Sequence, residues 1–209
     1  MRDGALKYHV LGASVPKASV PLGKAITPLA GGIFKIDAVG AGMVVTDGRN
    51  RKANITSTDV MASNGLIHVI DKVLLPPDKN IVQTAQALPQ FSILVEAVLA
   101  ANLQGALSAA GPLTVFAPTN DAFAALLTEL GMTKAQLLAN TPLLTKVLTV
   151  AGKVMAKDVK AGKVKTVQGS ELTLSTTGGV MVDGAKVIAA DIVADNGVIH
   201  VIDSVVLPK

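Results

Sequence analysis

A long segment of the chain occurs twice, and this internal repeat constrains the fold more than any other feature of the sequence. Residues 59–76 read DVMASNGLIHVIDKVLLP, and residues 191–208 read DIVADNGVIHVIDSVVLP. The histidines of the two copies, His68 and His200, lie 132 residues apart, which is the length of a typical domain. The chain is therefore predicted to contain parts of two related modules.

The two copies of the repeat differ in what precedes them. Before the second copy, apolar residues recur at helical spacing from Ile81 to Ala110, whereas almost no chain precedes the strands of the first copy. Consecutive prolines at 76 and 77 stop a strand and favour an extended linker. The pattern predicts three segments: the C-terminal half of a module in residues 1–76, a linker at 77–79, and a nearly complete module in residues 80–209.

The second module has helical patterns first and strand patterns afterwards. Helices are predicted over 81–110, with an interruption at Pro89, and then over 133–140 and 142–149. A short strand is predicted over 113–117, and a further helix is predicted to follow the capping residues 118–121. From Val154 onward the pattern changes to strands separated by turn signals such as Asp183-Gly184. Helices followed by strands predict an α+β fold.

The composition excludes several kinds of site. The chain has no cysteine, which excludes disulfide bonds, thiolate-bound zinc and thiol catalysis. Its net charge of +4 is spread along the chain, so neither half is basic enough to indicate binding to nucleic acid. With one Tyr, four Phe and no Trp, the core is predicted to be aliphatic, and no cofactor is expected.

Three blocks of sequence resemble the fasciclin domain family. They are Asn80-Ile81-Val82, the segment TVFAPTNDAF at 114–123, and the closing motif NGxIHVID at 64–71 and 196–203. The resemblance implies a fasciclin-like β-sandwich or wedge with a helical layer, together with an extra β-rich half-domain. It also implies a non-catalytic module for cell adhesion or protein–protein interaction, whose partner is a cell-surface or matrix protein.

The resemblance also implies roles for individual residues. In similar animal proteins a Tyr-His pair and an Asp-Ile pair are implicated in partner binding, and the matching positions here are Tyr8, His9, Asp59, Val60, Asp191 and Ile192. The family motif itself is predicted to be structural, at Asn64, Gly65, His68, Asn196, Gly197, His200, Thr119, Asn120 and Asp121. The second module departs from the family pattern, because no Tyr-His-Val follows Thr149.

The two repeat histidines also allow an enzymatic interpretation. Each has an aspartate three residues later, and Ser63, Ser170 and Ser204 are candidate nucleophiles for a hydrolase of small esters or lactones with an unconventional Ser/His site. Residues i and i+3 of a strand point to opposite faces, which argues against a direct His-Asp hydrogen bond. A structural role for both rings is therefore favoured. No metal site is predicted, because the few histidines lack ligand spacing.

The strands of the first copy present apolar residues and lack the helices that would cover them. The apolar positions are Ile33, Ile36, Val44, Val45, Ile55, Val60, Ile67, Val69 and Val73. Burial of such a surface is strongly favourable, so three arrangements are predicted. The half-domain docks on the complete domain, captures helices from a second chain, or combines with helices 80–150 as a circular permutant. The first two are favoured, and the expected state is a homo-oligomer, formed with or without exchange of strands or helices.

Hydropathy and the N-terminus bear on cellular location. The opening residues MRDGALKYH lack the apolar core of a signal peptide, and no uncharged apolar run is long enough to span a membrane. No transmembrane segment is therefore expected. The natural full-length protein is expected to be secreted, periplasmic or at the cell surface. The repeat favours the interpretation that this chain is a fragment whose gene also encodes the missing half and an export signal.

Overall fold

The structure of the chain is a computed structural model that describes residues 2–111, 113–140, 142, 144, 150–152, 161–165, 171–176 and 179–206. The chain forms two compact units, unit 1 at residues 1–78 and unit 2 at residues 79–209. The described elements comprise a five-stranded sheet, a seven-stranded sheet and several helices. The predicted α+β fold is confirmed.

Unit 1 consists of one short helix and an antiparallel sheet. In chain order its elements are α1 (Arg2–Lys7), a 3-10 turn (Lys17–Ser19), β1 (Ala25–Ile26), β2 (Phe34–Val39), β3 (Gly42–Thr46), β4 (Lys52–Ala62) and β5 (Gly65–Ile70). Successive strands pair as neighbours, in the order β1-β2-β3-β4-β5. Within the described residues, β5 is therefore an edge strand with β4 on one side.

One face of the unit 1 sheet is buried. Its core contains Tyr8, Ile26, Phe34, Ile36, Val45, Ala53 and Leu74. Three of the residues predicted to be uncovered, Ile33, Ile36 and Val45, are buried in unit 1. The N-terminal segment supplies much of this cover, because Tyr8, Leu11, Val20 and Leu22 pack in or against the same cluster.

Several helices precede and follow the first strand of unit 2, and some of them begin at a capping side chain. They are α2 (Ile81–Gln86), α3 (Ser92–Ala100), α4 (Gln104–Leu107), α5 (Asn120–Leu130) and α6 (Lys134–Ala139), with a 3-10 turn at Pro89–Phe91. Asn80 and Thr133 each form a capping box with a glutamine three residues later. Gly131 ends α5 in the left-handed conformation, with φ 61°. The helix predicted over 142–149 falls largely outside the described residues.

The unit 2 sheet mixes parallel and antiparallel pairs. Its strands are β6 (Leu113–Pro118), β7 (Val150–Gly152), β8 (Gly162–Lys165), β9 (Glu171–Ser175), β10 (Met181–Val182), β11 (Ala185–Ala194) and β12 (Gly197–Ile202), in the spatial order β7-β6-β12-β11-β10-β9-β8. Strands β6 and β12 run parallel, and the other pairs are antiparallel. The strands begin at Val150, earlier than the predicted Val154, because β7 pairs with β6.

The described residues of unit 2 form two hydrophobic clusters. The first joins the helices to the sheet and includes Phe91, Leu94, Phe123, Ile199 and Val201. The second includes Phe116, Leu172, Val182, Ile202 and Val206. The helices therefore cover the sheet of their own unit. The circularly permuted arrangement, in which they would complete the first sheet, is not the one observed.

Candidate interaction surface

Each long strand of the repeat bends at an aspartate. Asp59 in β4 and Asp191 in β11 have left-handed φ angles of 58° and 61°. The pairing register with the neighbouring strand shifts across each of these aspartates. Such a shift is a β-bulge, which bends and re-aims a strand. The structure thus places both aspartates inside a strand, at equivalent points of the two copies.

The repeat histidines hold these bulges. The backbone N–H of Asp59 donates to Nδ1 of His68 at 3.4 Å, and that of Asp191 donates to Nδ1 of His200 at 3.2 Å. Nε2 of His68 lies 2.8 Å from the carbonyl of Val15. Because Nδ1 accepts, this ring is the neutral tautomer that donates from Nε2. Both ring nitrogens of His68 are therefore engaged with backbone groups.

The serines of the hydrolase interpretation occupy different surroundings. Ser63 and Ser204 are exposed, and Ser170 lies outside the described residues. A general base needs a free nitrogen within hydrogen-bond reach of its nucleophile. In His68 the nitrogen that accepts is already bonded to the N–H of Asp59. The geometry around His68 therefore does not support a Ser/His catalytic pair.

Equivalent residues at the two bulges differ in exposure. The carboxylate of Asp59 is exposed and accepts the backbone N–H of Lys17 at 2.9 Å. Asp191 is buried, with Oδ1 3.8 Å from Nδ1 of His200. Val60 is exposed, whereas Ile192 packs against the core of unit 2. Of the two predicted Asp-hydrophobic pairs, Asp59 and Val60 offer side chains to solvent.

The Tyr-His pair lies at the end of α1 and contributes mainly to the core of unit 1. Tyr8 is 0% exposed, its hydroxyl donates to the carbonyl of Ile33, and its ring packs edge-on against Phe34 with centroids 5.8 Å apart. Burial, reinforced by the charge of Asp47, raises the pKa of Tyr8. The ring of Tyr8 has no solvent-facing surface for a partner.

His9 is exposed and fixed by two backbone bonds. Nδ1 donates to the carbonyl of Ala5 at 2.7 Å, and Nε2 accepts the N–H of Leu74 at 2.9 Å. His9 and His68 both line a groove of about 430 Å³ in unit 1. The structure therefore brings together two of the predicted residues that lie far apart in the sequence.

The closing motif of unit 2 joins its hairpin to the helical front half. Oδ1 of Asn196 accepts the N–H of Ile81 at 2.9 Å, and Nδ2 donates to the carbonyls of Leu107 and Ala109 at 2.8 and 2.9 Å. At Gly197 a Cβ atom would lie 2.0 Å from the carbonyl oxygen of Leu113, which belongs to the parallel strand β6. Asn196 and Gly197 are therefore interface residues between the two halves of unit 2.

Among the residues that the structure describes, the same motif in unit 1 has no such partners. Asn64 is exposed, and its side chain makes none of these bonds to the residues that the structure describes. A Cβ atom at Gly65 would meet nothing within 4 Å. The two copies differ because β5 lies at the edge of its sheet, whereas the equivalent strand β12 pairs with β6. Unit 1 thus carries the interface groups of the motif without counterparts in the described part of the chain.

An apolar face accompanies the edge of β5. In unit 2 the helix-side cluster includes or contacts Ile192, Ala194, Ile199, Val201 and Val205. The equivalent residues of unit 1, named the open face, are Val60, Ala62, Ile67, Val69 and Val73, and all are exposed. Ile199 and Val201 are 1% and 2% exposed, whereas Ile67 and Val69 are 52% and 44% exposed. Nearly identical sequence is buried in one unit and exposed in the other.

The remaining motif residues organise the start of α5. The hydroxyl of Thr119 accepts the N–H of Ala122 at 3.2 Å, which caps the helix. The side chain of Asn120 accepts the N–H of Ile93 and donates to the carbonyl of Pro89, both at 3.1 Å. Asp121 is exposed in the first turn, where its negative charge interacts favourably with the positive end of the helix dipole. Asn120 therefore joins the start of α5 to the start of α3.

One structural residue was missed by sequence reasoning. Asp47 is buried, and its carboxylate accepts the backbone N–H groups of Arg49, Arg51 and Leu75 at 2.9 to 3.0 Å. Its Oδ2 atom also accepts two hydrogen bonds from the guanidinium of Arg51, from Nη2 at 2.7 Å and from Nε at 3.0 Å. The Asp-Gly pair at 47–48 is a local turn signal, but the bond to Leu75 is a long-range contact that no local pattern predicts.

Among the residues that the structure describes, no group of three or more His, Asp or Glu side chains is arranged to hold a metal ion. No described helix is both long and apolar enough to cross a bilayer.

The geometry of a helical layer on a sheet, closed by the repeated Asn-Gly hairpin, agrees with comparisons to known proteins. The Fasciclin domain profile matches residues 3–76 and 89–208. The chain belongs to the fasciclin domain family. The predicted resemblance is thereby confirmed.

Individual relatives come from bacteria and animals. The chain is 48% identical over 145 residues to Protein sll1483 of Synechocystis sp., covering 67% of this chain and 79% of that protein. It is 30% identical over 211 residues to rabbit (Oryctolagus cuniculus) transforming growth factor-beta-induced protein ig-h3, covering 98% of this chain but 30% of that protein.

A solved structure shares the fold. It is a FAS1 domain pair from the insect cell adhesion molecule Fasciclin I, with a TM-score of 0.53 and 18% sequence identity, covering 98% of this chain and 79% of that one. At this identity the likeness supports the fold alone.

Proposed function

We propose that this chain is a non-catalytic module for adhesion or protein–protein interaction, acting outside the cell or at its surface. Family membership supports this function. The single observation that carries the proposal is the open face, because large exposed apolar patches mark interaction surfaces. A secreted, periplasmic or surface-displayed protein would fit this function.

Unit 1 is proposed to be the C-terminal half of a fasciclin module, and unit 2 a nearly complete one. The repeat supports this division, since Asp59, His68 and Asp71 have the same backbone bonds as Asp191, His200 and Asp203. The absence of helical cover over the open face, within the described residues, supports it as well. A homo-oligomer is the proposed state of the free chain, because self-association would cover these side chains.

A cell-attachment assay tests the function. Surfaces coated with the full chain are expected to retain cells of the producing organism, and the double variant Ile67→Lys, Val69→Lys is expected to lose most of this retention. Val39→Lys is the matched control, because Val39 is 58% exposed in the same sheet but outside the open face. Equal attachment to coated and uncoated surfaces would contradict the proposal.

Sedimentation of the same variants tests the oligomer. The parent chain is expected to show concentration-dependent association, and the double lysine variant to remain a monomer at the same concentration. Charges on an apolar interface are costly to bury without partners, which is why the variant should dissociate. A parent that stays monomeric at the highest soluble concentration would overturn the homo-oligomer.

A further inference from the structure

We infer that the turn between β3 and β4, residues 47–51, is a clasp that fixes the segment 73–78, by which the chain leaves unit 1. This segment is called the exit segment. Consecutive prolines such as Pro76 and Pro77 by themselves favour an extended linker. Both prolines are nevertheless partly buried in unit 1. The exit segment is thus held as part of the unit 1 fold, and this inference goes beyond the proposed interaction function.

The Asp-Gly pair of the clasp binds the backbone of the exit segment at its centre. Oδ2 of Asp47 accepts the N–H of Leu75 at 3.0 Å, and the N–H of Gly48 donates to the carbonyl of Leu75 at 3.1 Å. Asp47 is buried, and its carboxylate is held in place by the guanidinium of Arg51. Hydrogen bonds to a charged group contribute more than those between neutral groups. Both backbone groups of Leu75 are therefore fixed by the clasp.

Close packing of Pro77 against glycine is the second support. A Cβ atom at Gly48 would overlap the ring of Pro77 and lie 2.8 Å from the carbonyl carbon of Pro76. A Cβ atom at Gly32 would lie 3.1 Å from Cδ of Pro77. Backbone approach as close as that at Gly48 is possible only for glycine. A methyl group added at position 48 would therefore force the exit segment away from the clasp.

Two arginines of the clasp bind both ends of the exit segment. Nη2 of Arg51 donates to the carbonyl of Val73 at 2.8 Å. Nε of Arg49 donates to the carbonyl of Pro76 at 3.3 Å, and Nη1 of Arg49 lies 3.2 Å from Oδ2 of Asp78. An exposed ion pair contributes little by itself, so the arginines supplement the backbone bonds at the centre of the segment. The clasp therefore contacts the exit segment from its first residue to its last.

The equivalent turn of unit 2 is built differently. Five residues, 47–51, join β3 to β4, whereas two residues, 183 and 184, join β10 to β11. These two are Asp183 and Gly184, so this turn contains no arginine. Oδ1 of Asp183 accepts the N–H of Thr173 at 2.8 Å and therefore binds a neighbouring strand of its own sheet. The clasp is a property of the longer turn of unit 1 and not of the repeat in general.

Amide hydrogen exchange of the isotopically labelled full chain, followed by NMR, tests the clasp. In Gly48→Ala the added methyl group is expected to displace Pro77 and open the bond between Leu75 and Asp47. The amide of Leu75 should then exchange at least about tenfold faster than in the parent. The amide of Val45, inside β3, is expected to keep its parent rate.

Gly42→Ala is the matched control in the same hairpin. A Cβ atom at Gly42 would meet the carbonyl oxygen of Val39 at 3.7 Å, which is an ordinary contact. This variant adds the same methyl group away from the exit segment. The amide of Leu75 is therefore expected to exchange at the parent rate in Gly42→Ala.

Arg49→Gln is a second variant, which removes the contacts to Pro76 and Asp78 without adding bulk. In the parent, Asp78 is expected to be as rigid as the strands on the picosecond-to-nanosecond timescale, as measured by the heteronuclear Overhauser effect. In Arg49→Gln this effect should fall at Asp78. The exchange of Leu75 should rise by about twofold, which is the scale of an exposed ion pair.

Three results would overturn the inference. The first is a parent chain whose exit segment is mobile on this timescale. The second is a folded Gly48→Ala variant whose Leu75 amide exchanges at the parent rate. The third is an Arg49→Gln variant in which Asp78 stays as rigid as in the parent. If Gly48→Ala raises exchange equally at Val45, unit 1 as a whole has been destabilised, and Arg49→Gln then decides.

Discussion

The ionisation of Tyr8 is tied to the fold of unit 1. Its pKa is raised in the folded chain by burial and by the nearby charge of Asp47, whereas an unfolded tyrosine has a pKa of about 10. Above that pH the unfolded state loses a proton that the folded state keeps. Unit 1 is therefore expected to lose stability as the pH rises above about 10.

Urea unfolding between neutral and alkaline pH checks this expectation. Tyr8→Phe should be less stable at neutral pH by about 1 kcal/mol, because the bond to Ile33 is lost, but its stability should depend less on alkaline pH. The chain has a single tyrosine, so near-ultraviolet tyrosinate absorbance reports Tyr8 alone. Titration of the folded chain near the ordinary tyrosine pKa would contradict the prediction.

Asp71 gives unit 1 a dependence on acid. Its carboxylate accepts the side-chain and backbone N–H groups of Asn54, both at 2.7 Å, and these bonds lower the pKa of Asp71, the side-chain bond most. A lowered pKa stabilises the fold above the unfolded value of about 3.9, and this stabilisation is lost as the pH falls through the lower folded value.

Asp71→Asn tests this contribution through tyrosine fluorescence of unit 1. The variant is expected to be less stable than the parent near neutral pH, and the difference is expected to shrink as the pH falls below about 4. Asp203→Asn is the parallel change in unit 2, where Asp203 accepts the N–H of Lys186 at 2.8 Å. A difference in stability between Asp71→Asn and the parent that is the same at all pH values would argue against a charged carboxylate.

At the level of elements, the repeated Asn-Gly hairpin makes a matched pair of sites. Asn196→Ala removes bonds that join β12 to α2 and α4, and it leaves partly buried N–H and carbonyl groups without partners. We expect a loss of about 2–4 kcal/mol in the unfolding free energy of unit 2. Asn64→Ala lies at the exposed equivalent position and is expected to change stability by less than about 0.5 kcal/mol.

Circular dichroism during urea unfolding measures both variants. Comparable losses for Asn64→Ala and Asn196→Ala would mean that Asn64 has structural partners of its own. The comparison is internal, because the two asparagines share their sequence motif and differ in the elements around them.

Local signals predicted the elements well where the chain interacts with itself over short distances. The capping boxes at Asn80 and Thr133 and the helix start at Thr119 follow from residues within one turn. Strand β7 was not predicted, because only its pairing with β6 makes it a strand. The bulges at Asp59 and Asp191 were missed for the same reason, since they depend on a histidine in the neighbouring strand.

At the level of the whole molecule, the two units are expected to unfold in separate steps. Each has its own hydrophobic clusters, and in the described residues unit 1 has one cluster where unit 2 has two. Unit 1 should therefore unfold at lower urea concentration. Tyrosine fluorescence follows unit 1, and circular dichroism follows both units. Coincident transitions by the two probes would contradict this prediction.

The sequence by itself determined the family, the α+β class, the internal repeat and the residues that form each hairpin, because these depend on local patterns and on order along the chain. Only the tertiary structure decided which copy is covered. Ile67 and Ile199 occupy the same place in nearly identical strands, yet one is 52% exposed and the other 1% exposed. Burial depends on the helices and the parallel strand that pack on a residue, and these come from distant parts of the chain.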